Sequence, residues 1–417
     1  MREDWNKEEL GKICVVNMGQ SPPSSTYNTD KKGLPFFQGK AEFTTLHPVV
    51  QKWCNKPKKT AEVDDILLSV RAPVGATNIA NQKCAIGRGL AAITYTPYKY
   101  IFYYLKLIES KLDTQGTGTT FKAISGKVLK SQIVPLPPLP EQRAIVAKIE
   151  QLFSELDNGI ANLKTAKDKL EIYRQAVLKK AFEGELTNTT DIEWVALGQV
   201  CNNVEYGTSS KSINEGLTPV LRMGNIQNGR LDWSDLKYSS DPEEIKKYSL
   251  REGDVLFNRT NSPEHVGKTA IYKGKRDAIF AGYLIRIHYK KNDVNGDYLN
   301  YFLNCHIARK HGNKVKSFGV NQSNINGTKL KKYPFPKTTL KEQAQIVKEI
   351  ETRLSVCDNA IKNIDEALKK SEALRQSILK KAFEGKLLSD AELQACRQEP
   401  DWEPAEKLLE RIRKEKK

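Results

Sequence analysis

The sequence has 417 residues, more than one hydrophobic core ordinarily organises, and so predicts two or more domains. Its 67 Lys and Arg residues exceed its 50 Asp and Glu residues and leave a formal net charge of +17. A polyanionic partner explains this excess; a basic, well-solvated surface is the alternative. No window approaches the roughly 20 apolar residues of a membrane helix, and the start MREDWNKEEL is too charged for a signal peptide. We therefore expect a cytoplasmic protein.

Residues 1–140 carry short apolar runs of β-type residues that are separated by Gly, Pro, Asn and Asp. The runs include PFFQGKAEF, DDILLSVRAPVGATNIA and GLAAITYTP. Apolar runs bounded by turn-forming residues are typical of short strands. The pattern predicts a β-rich first domain.

Residues 141–187 change to apolar side chains at steps of three and four, which lie on one stripe of an amphipathic helix. The stripe consists of Ile149, Leu152, Leu156, Ile160, Leu163, Leu170, Tyr173 and Val177. Prolines at 135, 137, 138 and 140 prevent an earlier start, and Gly184 suits a chain that leaves a helix. The spacing predicts one helix of about 42 residues.

Residues 188–340 return to β-type runs, including TPVLRMGNIQNGRLDW, GDVLFNRTNSPEHVGKTAIY and GYLIRIHY, and predict a second β-rich domain. Residues 341–388 then repeat the helix. An offset of 201 aligns residues 141–186 with 342–387 without a gap and gives 24 identities at 46 positions, with LKKAFEG in both copies. The tail, residues 389–417, has no counterpart after the first helix.

Each helix would span roughly 60 Å, and its apolar stripe is too narrow for burial on all sides. The other copy is the simplest partner, because two similar helices separated by a compact domain can lie antiparallel and bury their stripes together. A plain dimerising coiled coil explains the stripe equally well, but not the domain before each helix. We predict a mixed α/β fold of two β-rich domains separated by two long antiparallel coiled-coil helices, with a pseudo-two-fold internal repeat.

The two domains correspond element by element but share few residues. The run Asp65–Leu68 occupies the place of Asp254–Phe257, and an arginine follows closely in both, Arg71 and Arg259. Common helices and different domains suggest two distinct recognition domains on one frame. In a basic protein, the pseudo-two-fold frame matches the symmetry of duplex DNA.

The helix motifs resemble a known family. LPEQRAIVAKIEQLF followed by LKKAFEGEL, repeated as LKEQAQIVKEIETRL and LKKAFEGKL, resembles the specificity subunit of type I restriction-modification systems. PVLRMGNIQNG and GDVLFNRTNSPEHVGKTA resemble its target-recognition domain. The resemblance implies target-recognition domains at 1–140 and 188–340 and spacer helices at 141–187 and 341–388.

The resemblance also implies a function and partners. The chain would be a non-catalytic DNA-binding subunit that recognises a bipartite, asymmetric site in double-stranded DNA. Two methyltransferase subunits would dock on the helices and methylate adenine N6, and restriction subunits would join them for ATP-dependent cleavage. S-adenosylmethionine, ATP and Mg²⁺ are expected on those partners and no cofactor in this chain. The tail would contact a methyltransferase subunit or the first domain, or form a solvated, partly helical terminus.

Two other functions fit the sequence. The chain could serve a two-chain system whose partner both methylates and cleaves, or it could be a coiled-coil scaffold that does not bind DNA.

We do not expect the chain itself to catalyse a reaction or to bind a nucleotide or metal. The stretch HVGKT at 265–269 resembles the end of a phosphate-binding loop, but that motif needs glycine where Ser262 stands. No Asn-Pro-Pro-aromatic stretch of the adenine methyltransferase kind is present. Cys305, His306 and His311 are too irregularly spaced for a metal site, and the seven cysteines, which stand singly, are expected to be reduced core residues. We predict no catalytic residues and no metal.

Candidate base-reading residues follow from groove chemistry, since Arg or Lys suits guanine and Asn or Gln suits adenine. Both domains place such side chains in turn-rich stretches, where they either reach DNA or only build turns. The second-domain candidates are Arg222, Asn225, Asn258, Arg259, Asn261, Ser262, Asn321, Gln322, Ser323 and Asn324. The first-domain candidates are Gln38, Lys40, Arg71, Arg88, Thr119, Thr120 and Lys122.

Overall fold

The computed structural model describes residue 2 and residues 4–118, 122–187, 191–319 and 322–415. The chain folds into two compact units. Unit 1 contains residues 1–162 and 366–417, and unit 2 contains residues 163–365. Each unit therefore holds one β-rich domain and half of each long helix. None of the described helices is long and apolar enough to cross a lipid bilayer.

The described strands are short, with two to six residues each. In unit 1 they are β1 (Asn6–Glu9), β2 (Val15–Met18), β3 (Tyr27–Asn28), β4 (Leu34–Phe37), β5 (Trp53–Cys54), β6 (Thr60–Ala61), β7 (Ile66–Ser69), β8 (Thr77–Ile79), β9 (Cys84–Ile86), β10 (Leu90–Thr94) and β11 (Ile133–Leu136). In unit 2 they are β12 (Glu193–Ala196), β13 (Cys201–Tyr206), β14 (Thr218–Leu221), β15 (Ile226–Gln227), β16 (Arg230–Leu231), β17 (Lys237–Ser239), β18 (Val255–Asn258), β19 (Thr260–Asn261), β20 (Thr269–Ile271), β21 (Ile279–Phe280), β22 (Leu284–Tyr289), β23 (Ser317–Phe318), β24 (Ser323–Asn324) and β25 (Pro334–Lys337).

The helices comprise two long ones and several short ones. They are α1 (Leu10–Ile13), α2 (Tyr98–Leu107), α3 (Glu109–Thr114), α4 (Gly126–Lys130), α5 (Leu139–Phe182), α6 (Pro242–Tyr248), α7 (Gly296–Asn304), α8 (His306–Val315), α9 (Gly327–Lys331), α10 (Leu340–Phe383), α11 (Asp390–Arg397) and α12 (Ala405–Glu415). Single 3₁₀ turns lie at Ser24–Thr26, Lys40–Glu42, Leu197–Gln199 and Met223–Asn225.

The β-rich domains of the two units share one strand arrangement. A four-stranded antiparallel sheet has the order β2-β10-β7-β8 in unit 1 and β13-β22-β18-β20 in unit 2. A second sheet contains one parallel pair, β4-β9 in unit 1 and β14-β21 in unit 2. An antiparallel ribbon, β1-β11 or β12-β25, leads into each long helix. The repeat predicted for the helices therefore extends to the topology of the domains.

The central strands explain why the sequence shows continuous apolar runs there. All four residues of β7 and all four of β18 are buried, so these strands are covered on both faces. The helices α2 and α7 cover the sheets by contacting β8 and β20. All seven cysteines are buried, as predicted for core residues.

The repeated Glu-Gln pair fixes the start of each long helix. Gln142 is buried, with its Oε1 accepting a hydrogen bond from the Tyr95 hydroxyl at 3.0 Å and its Nε2 donating to the Pro137 carbonyl at 2.9 Å. Its repeat equivalent Gln343 is also buried and donates to the Thr338 carbonyl at 2.8 Å. A buried amide with both ends bonded orders the first helical turn against the domain that precedes it.

The two long helices pair antiparallel in each unit. In unit 1, Arg375 of α10 bonds to Asp157 of α5. In unit 2, Lys167 Nζ lies 2.6 Å from Asp365 Oδ1, and Arg174 bonds to Asp358. The residue numbers of the α10 partners fall as those of the α5 partners rise, so the two helices run antiparallel. This pairing and the two β-rich domains confirm the predicted fold class.

The LKKAFEG motif ends each long helix in an aromatic core. In unit 2 the ring of Phe182 is buried 5.1 Å from that of Tyr298 and 5.3 Å from that of Phe302. In unit 1 the ring of Phe383 is buried 5.1 Å from that of Tyr100 and packs against Tyr104. Each helix thus starts on one β-rich domain and ends against the aromatic helix of the other, α7 or α2. This arrangement explains why the motif occurs twice.

The tail packs on the β-rich domain of unit 1, one of the alternatives the sequence left open. Leu408 of α12 joins the hydrophobic core of that unit. Arg143 donates two hydrogen bonds to the Asp401 carboxylate, at 2.6 and 2.8 Å, and Arg413 bonds to Glu8 of β1. These contacts show a docked terminus rather than a solvated one.

Acid is expected to loosen this tail contact. Burial raises the pKa of Glu8, but hydrogen bonds from the Glu9 backbone N–H, Arg413 and Lys12 together outweigh that effect and lower the pKa to about 2. Because the folded-state pKa lies below the ordinary value of 4.5, the stabilisation by Glu8 is complete above pH 4.5 and is lost as the pH falls toward 2.

A neutral replacement tests this linkage. We expect Glu8→Gln to lower the unfolding temperature at pH 7, and we expect the difference from wild type to shrink as the pH falls below 4.5. Glu410→Gln, at an exposed position of α12, is the control and should show no pH-dependent difference. An equal deficit for Glu8→Gln at pH 7 and pH 3 in calorimetry would contradict the assignment.

Candidate DNA interface

Four candidates of the first domain line one cleft in unit 1. Gln38, Lys40, Arg71 and Arg88 are exposed and surround a volume of about 660 Å³. Gln38 follows β4, Arg71 follows β7, and Arg88 lies between β9 and β10, so the loops at one end of the two sheets converge. Gly89 permits the convergence, because a Cβ there would lie 2.1 Å from the Gln38 carbonyl oxygen. We call this set the unit 1 cleft.

The unit 1 cleft is positively charged. Lys40, Arg71 and Arg88 form no ion pairs with the residues that the structure describes. The one carboxylate lining the cleft, Glu42, accepts a hydrogen bond from the Gly39 backbone N–H at 3.2 Å. Three unpaired cations with one glutamine amide present the donors that phosphates and guanine or adenine edges accept.

The remaining first-domain candidates lie beside or beyond this cleft. Lys122 is half-buried, and its Nζ lies 2.5 Å from Asp113 Oδ2, so its charge is already paired. Its neighbour Ala123 bridges to Arg71 through the backbone. Thr119 and Thr120 lie outside the described residues.

In unit 2, Asn225 builds a turn. It is buried, its Oδ1 accepts the Arg222 backbone N–H at 2.9 Å, and its Nδ2 donates to the carbonyls of Asp232 and Asp235 at 3.0 and 2.8 Å. It takes the role that Glu42 takes after β4. Arg222 Nη2 is 3.0 Å from Asp235 Oδ2. The turn-building alternative therefore holds for Asn225, and the guanidinium of Arg222 is paired.

Arg259 begins the loop between β18 and β20, at the place of Val70 in unit 1 and one residue before the place of Arg71. Its guanidinium carbon lies 4.8 Å from the centre of the Tyr206 ring, and its Nη1 donates to the Gly282 carbonyl at 3.2 Å. Stacking and a hydrogen bond hold the guanidinium in one orientation before any ligand arrives. Such preorganisation suits a bidentate contact to one base.

The small sheet β19-β24-β23 brings the other candidates to Arg259. Thr260 and Asn261 pair with Asn324 and Ser323, and Asn324 Nδ2 donates to Thr260 Oγ1 at 2.7 Å. Asn261 Oδ1 accepts the backbone N–H of Ser262 at 2.8 Å. Gln322 is exposed, and Asn321 lies outside the described residues. We call Arg259, Asn261, Ser262, Gln322 and Asn324 the unit 2 loop cluster.

Asn258 and Ser323 lie beneath that cluster rather than on its surface. Both are fully buried, and the side-chain atoms Asn258 Oδ1 and Nδ2 and Ser323 Oγ have no hydrogen-bond partner among the described residues. A side chain without exposed surface does not reach a base edge in this arrangement. The prediction of direct base contact by Asn225, Asn258 and Ser323 is corrected accordingly: these three side chains are buried and support the loops from within the domain.

Exposed aromatic residues surround the unit 2 loop cluster, and sequence reasoning missed them. Phe318 of β23 is 74% exposed, Tyr283 is 49% exposed, and Tyr206 lies under Arg259. Aromatic side chains provide apolar contact with thymine methyl groups and exposed bases. The signal in the sequence was a lone phenylalanine in SFGV, which directly precedes the polar stretch NQSN.

The whole-chain comparison agrees with the repeat and the fold. Residues 2–165 and 189–370 match the family model for the type I restriction modification DNA specificity domain, one range for each copy. The chain belongs to this family of specificity subunits, as the repeated helix motifs predicted.

Named relatives carry the same description. The putative type I restriction enzyme MjaX specificity subunit of Methanocaldococcus jannaschii is 43% identical over 190 residues, which are 44% of this chain and 44% of that protein. This match thus spans less than half the length of that relative. The type I restriction enzyme StySPI specificity subunit of Salmonella potsdam is 29% identical over 324 residues, 73% of this chain and 69% of that protein.

Solved structures show the same fold. A chain from a study of complex assembly and conformational transition of the type I R-M system aligns with a TM-score of 0.73, at 20% identity over 93% of this chain and 99% of that chain. The HsdS subunit from Thermoanaerobacter tengcongensis aligns with a TM-score of 0.57, at 21% identity over 93% and 98%.

Removing the Arg259 side chain is expected to weaken binding at one base pair. If the held guanidinium contacts a guanine, Arg259→Ala costs roughly 1–3 kcal/mol, concentrated at one position of the recognised sequence. Arg251→Ala is the matched control, because Arg251 is exposed before the opposite end of β18. Fluorescence anisotropy with a set of single-substitution duplexes measures both. An equal loss on every duplex would reassign Arg259 to a phosphate.

Proposed function

We propose that this chain is the DNA-recognition subunit of a type I restriction-modification complex and that it recognises a bipartite, asymmetric site in double-stranded DNA. One observation carries the proposal: the two β-rich domains share a scaffold, but corresponding loops carry different side chains. Arg71 of unit 1 lies where unit 2 has Thr260, and Arg259 and Asn324 of unit 2 lie where unit 1 has Val70 and Ala123. Different side chains at equivalent places would read different half-sites.

Partner subunits would supply the chemistry. Two methyltransferase subunits would bind the long helices, and restriction subunits would add ATP-dependent cleavage, with S-adenosylmethionine, ATP and Mg²⁺ bound by those partners. Exposed apolar side chains on the helices of unit 2 support this docking, since Ile172 is 69% exposed on α5 and Val356 is 67% exposed on α10. The family to which the chain belongs supports the same division of labour.

Reconstitution tests the proposal. The purified chain should bind duplex DNA with an affinity that falls steeply with salt, since cations that neutralise phosphates release counterions. With S-adenosylmethionine alone it should not methylate DNA, and addition of the methyltransferase subunit should produce methyl-adenine. Methylation by the chain alone, or no duplex binding at modest salt, would overturn the proposal.

A further inference from the structure

The HVGKT stretch, which does not fit a phosphate-binding loop, lines a pocket in unit 2. Gly267 has φ +91°, a conformation that favours glycine, and it turns the chain so that Lys268 directly precedes β20. In a nucleotide-binding loop the lysine precedes a helix, whereas here it precedes a strand. The local structure therefore argues against nucleotide binding and leaves Lys268 without an assigned role.

The pocket has a volume of about 320 Å³ and opens between the β18–β20 loop and α8. Its charged and polar lining includes Glu264, Lys268, Arg309, Asn313 and Lys316. We call these five residues with Gly267 the cation pocket. Lys316 is held at the rim, because its Nζ donates to the Pro263 carbonyl at 3.0 Å and to Asn313 Oδ1 at 2.8 Å.

None of the three cations has an ion-pair partner among the described residues, but Lys268 and Arg309, unlike Lys316, are not held by short hydrogen bonds either. Lys268 Nζ approaches only Gln227 Oε1, at 3.5 Å, and Arg309 has no side-chain hydrogen bond or ion pair with the part of the chain that the structure describes. Burial lowers the pKa of Lys268, and the charge of Arg309 lowers it further. Two like charges that face one pocket without a carboxylate between them repel each other, and a bound anion reduces this repulsion.

The one carboxylate of the pocket does not neutralise this pair. The pKa of Glu264 is lowered first by a hydrogen bond from its own backbone N–H and then by the Ser262 side chain, with smaller effects from His265 and Lys316. The Glu264 carboxylate therefore interacts with groups of its own loop and with Lys316. Lys268 and Arg309 remain the uncompensated charges.

The position of the pocket identifies the anion. The β18–β20 loop that forms one wall also carries Asn261 and Ser262, and Lys316 directly precedes β23 with the exposed Phe318. A ligand that contacts the unit 2 loop cluster would therefore continue over the pocket. On duplex DNA, the anion next to a base edge is a backbone phosphate.

We infer that the cation pocket binds one backbone phosphate of the DNA through Lys268 and Arg309 and thereby sets the register of the unit 2 loop cluster on the duplex. The inference rests on the proposed function. Unit 1 lacks the lysine at the equivalent place: Val74 and Gly75, with φ +93°, match Val266 and Gly267, but buried Ala76 replaces Lys268. The phosphate contact is a property of unit 2.

Charge-altering variants test the inference. Lys268→Met keeps the aliphatic stem, and Arg309→Met does the same on α8. Each should weaken binding to every duplex by the same factor and reduce the slope of log affinity against log salt by about one. Lys268→Arg should retain wild-type binding. The control is Lys291→Ala, exposed at the opposite end of the four-stranded sheet, which should change neither quantity.

The possible results distinguish a wrong assignment of the pocket from a wrong proposed function. If wild type binds DNA and both Met variants bind it with unchanged affinity and salt slope, the pocket assignment is wrong and the proposed function stands. If wild type binds no duplex, both are wrong. Acylation of Lys268 followed by mass spectrometry distinguishes the source of phosphate: duplex should protect it, and protection by inorganic phosphate or ATP at equal phosphate concentration would overturn the DNA assignment.

Discussion

Phe182→Ala is expected to destabilise unit 2 by about 3–5 kcal/mol, and Phe383→Ala is expected to destabilise unit 1 by a similar amount. Both rings are buried and make edge or tilted contacts with two aromatic rings, Tyr298 and Phe302 for Phe182, and Tyr100 and Tyr104 for Phe383. Removal of a ring leaves a cavity in a packed core and the loss of its aromatic contacts.

Hydrogen exchange resolves where the stability is lost, which a single unfolding midpoint of a two-unit protein does not. Phe182→Ala should accelerate exchange in α7, and Phe383→Ala should accelerate it in α2. Lys179→Ala and Lys380→Ala, at exposed positions of the same helix ends, are the controls and should leave both segments protected. Faster exchange in α2 for Phe182→Ala would show that the helix ends pack differently.

The long helices could be predicted because an apolar stripe with helical spacing, repeated over many turns, fits no other secondary structure. Their antiparallel direction followed from the intervening domain. Other elements carried no such signal. The segment Tyr98–Leu107 is rich in aromatic residues, which favour strands, yet it forms α2 because its buried face packs on β8. Two-residue strands such as β15 are set by tertiary pairing and are too short to show a period.

A matched insertion of four helix-forming residues after Thr165 and after Glu366 is expected to lengthen the unread gap of the recognised site. These positions are equivalent in the repeat. Four residues add about 6 Å of helix, and with roughly 3.4 Å per base pair the gap should grow by one to two base pairs. The half-sites should stay the same, because neither the unit 1 cleft nor the unit 2 loop cluster changes.

The site of insertion follows from the packing. An insertion after Phe182 would displace the ring that packs against Tyr298 and Phe302, so it would damage unit 2 as well as lengthen the helix. An insertion after Thr165 alone is the control, since it shifts ion pairs such as Arg174–Asp358 out of register and should reduce stability. Methyl-adenine sequencing that finds altered half-sites with an unaltered gap would show that the helices do not set the spacing.

The candidate DNA-binding residues were predictable to different degrees. Gln38, Lys40, Arg71 and Arg88 meet in one cleft, because turns at one end of the sheets bring them together. Residue type alone does not tell whether a side-chain amide is hydrogen-bonded within the protein. The Asn225 amide makes three such hydrogen bonds. Phe318 and Lys268 gained a candidate role only when the structure placed them beside the polar loops.

Domain-specific variants test whether each β-rich domain recognises its own half-site. Methyl-adenine would be mapped by sequencing in cells that contain the partner subunits and either wild type, the double variant Arg71→Ala and Arg88→Ala, or Arg259→Ala. We expect a bipartite motif for wild type, relaxed specificity in one half-site for the double variant and relaxed specificity in the other half-site for Arg259→Ala. A single uninterrupted motif, or relaxation of the same half-site by both variants, would contradict this expectation.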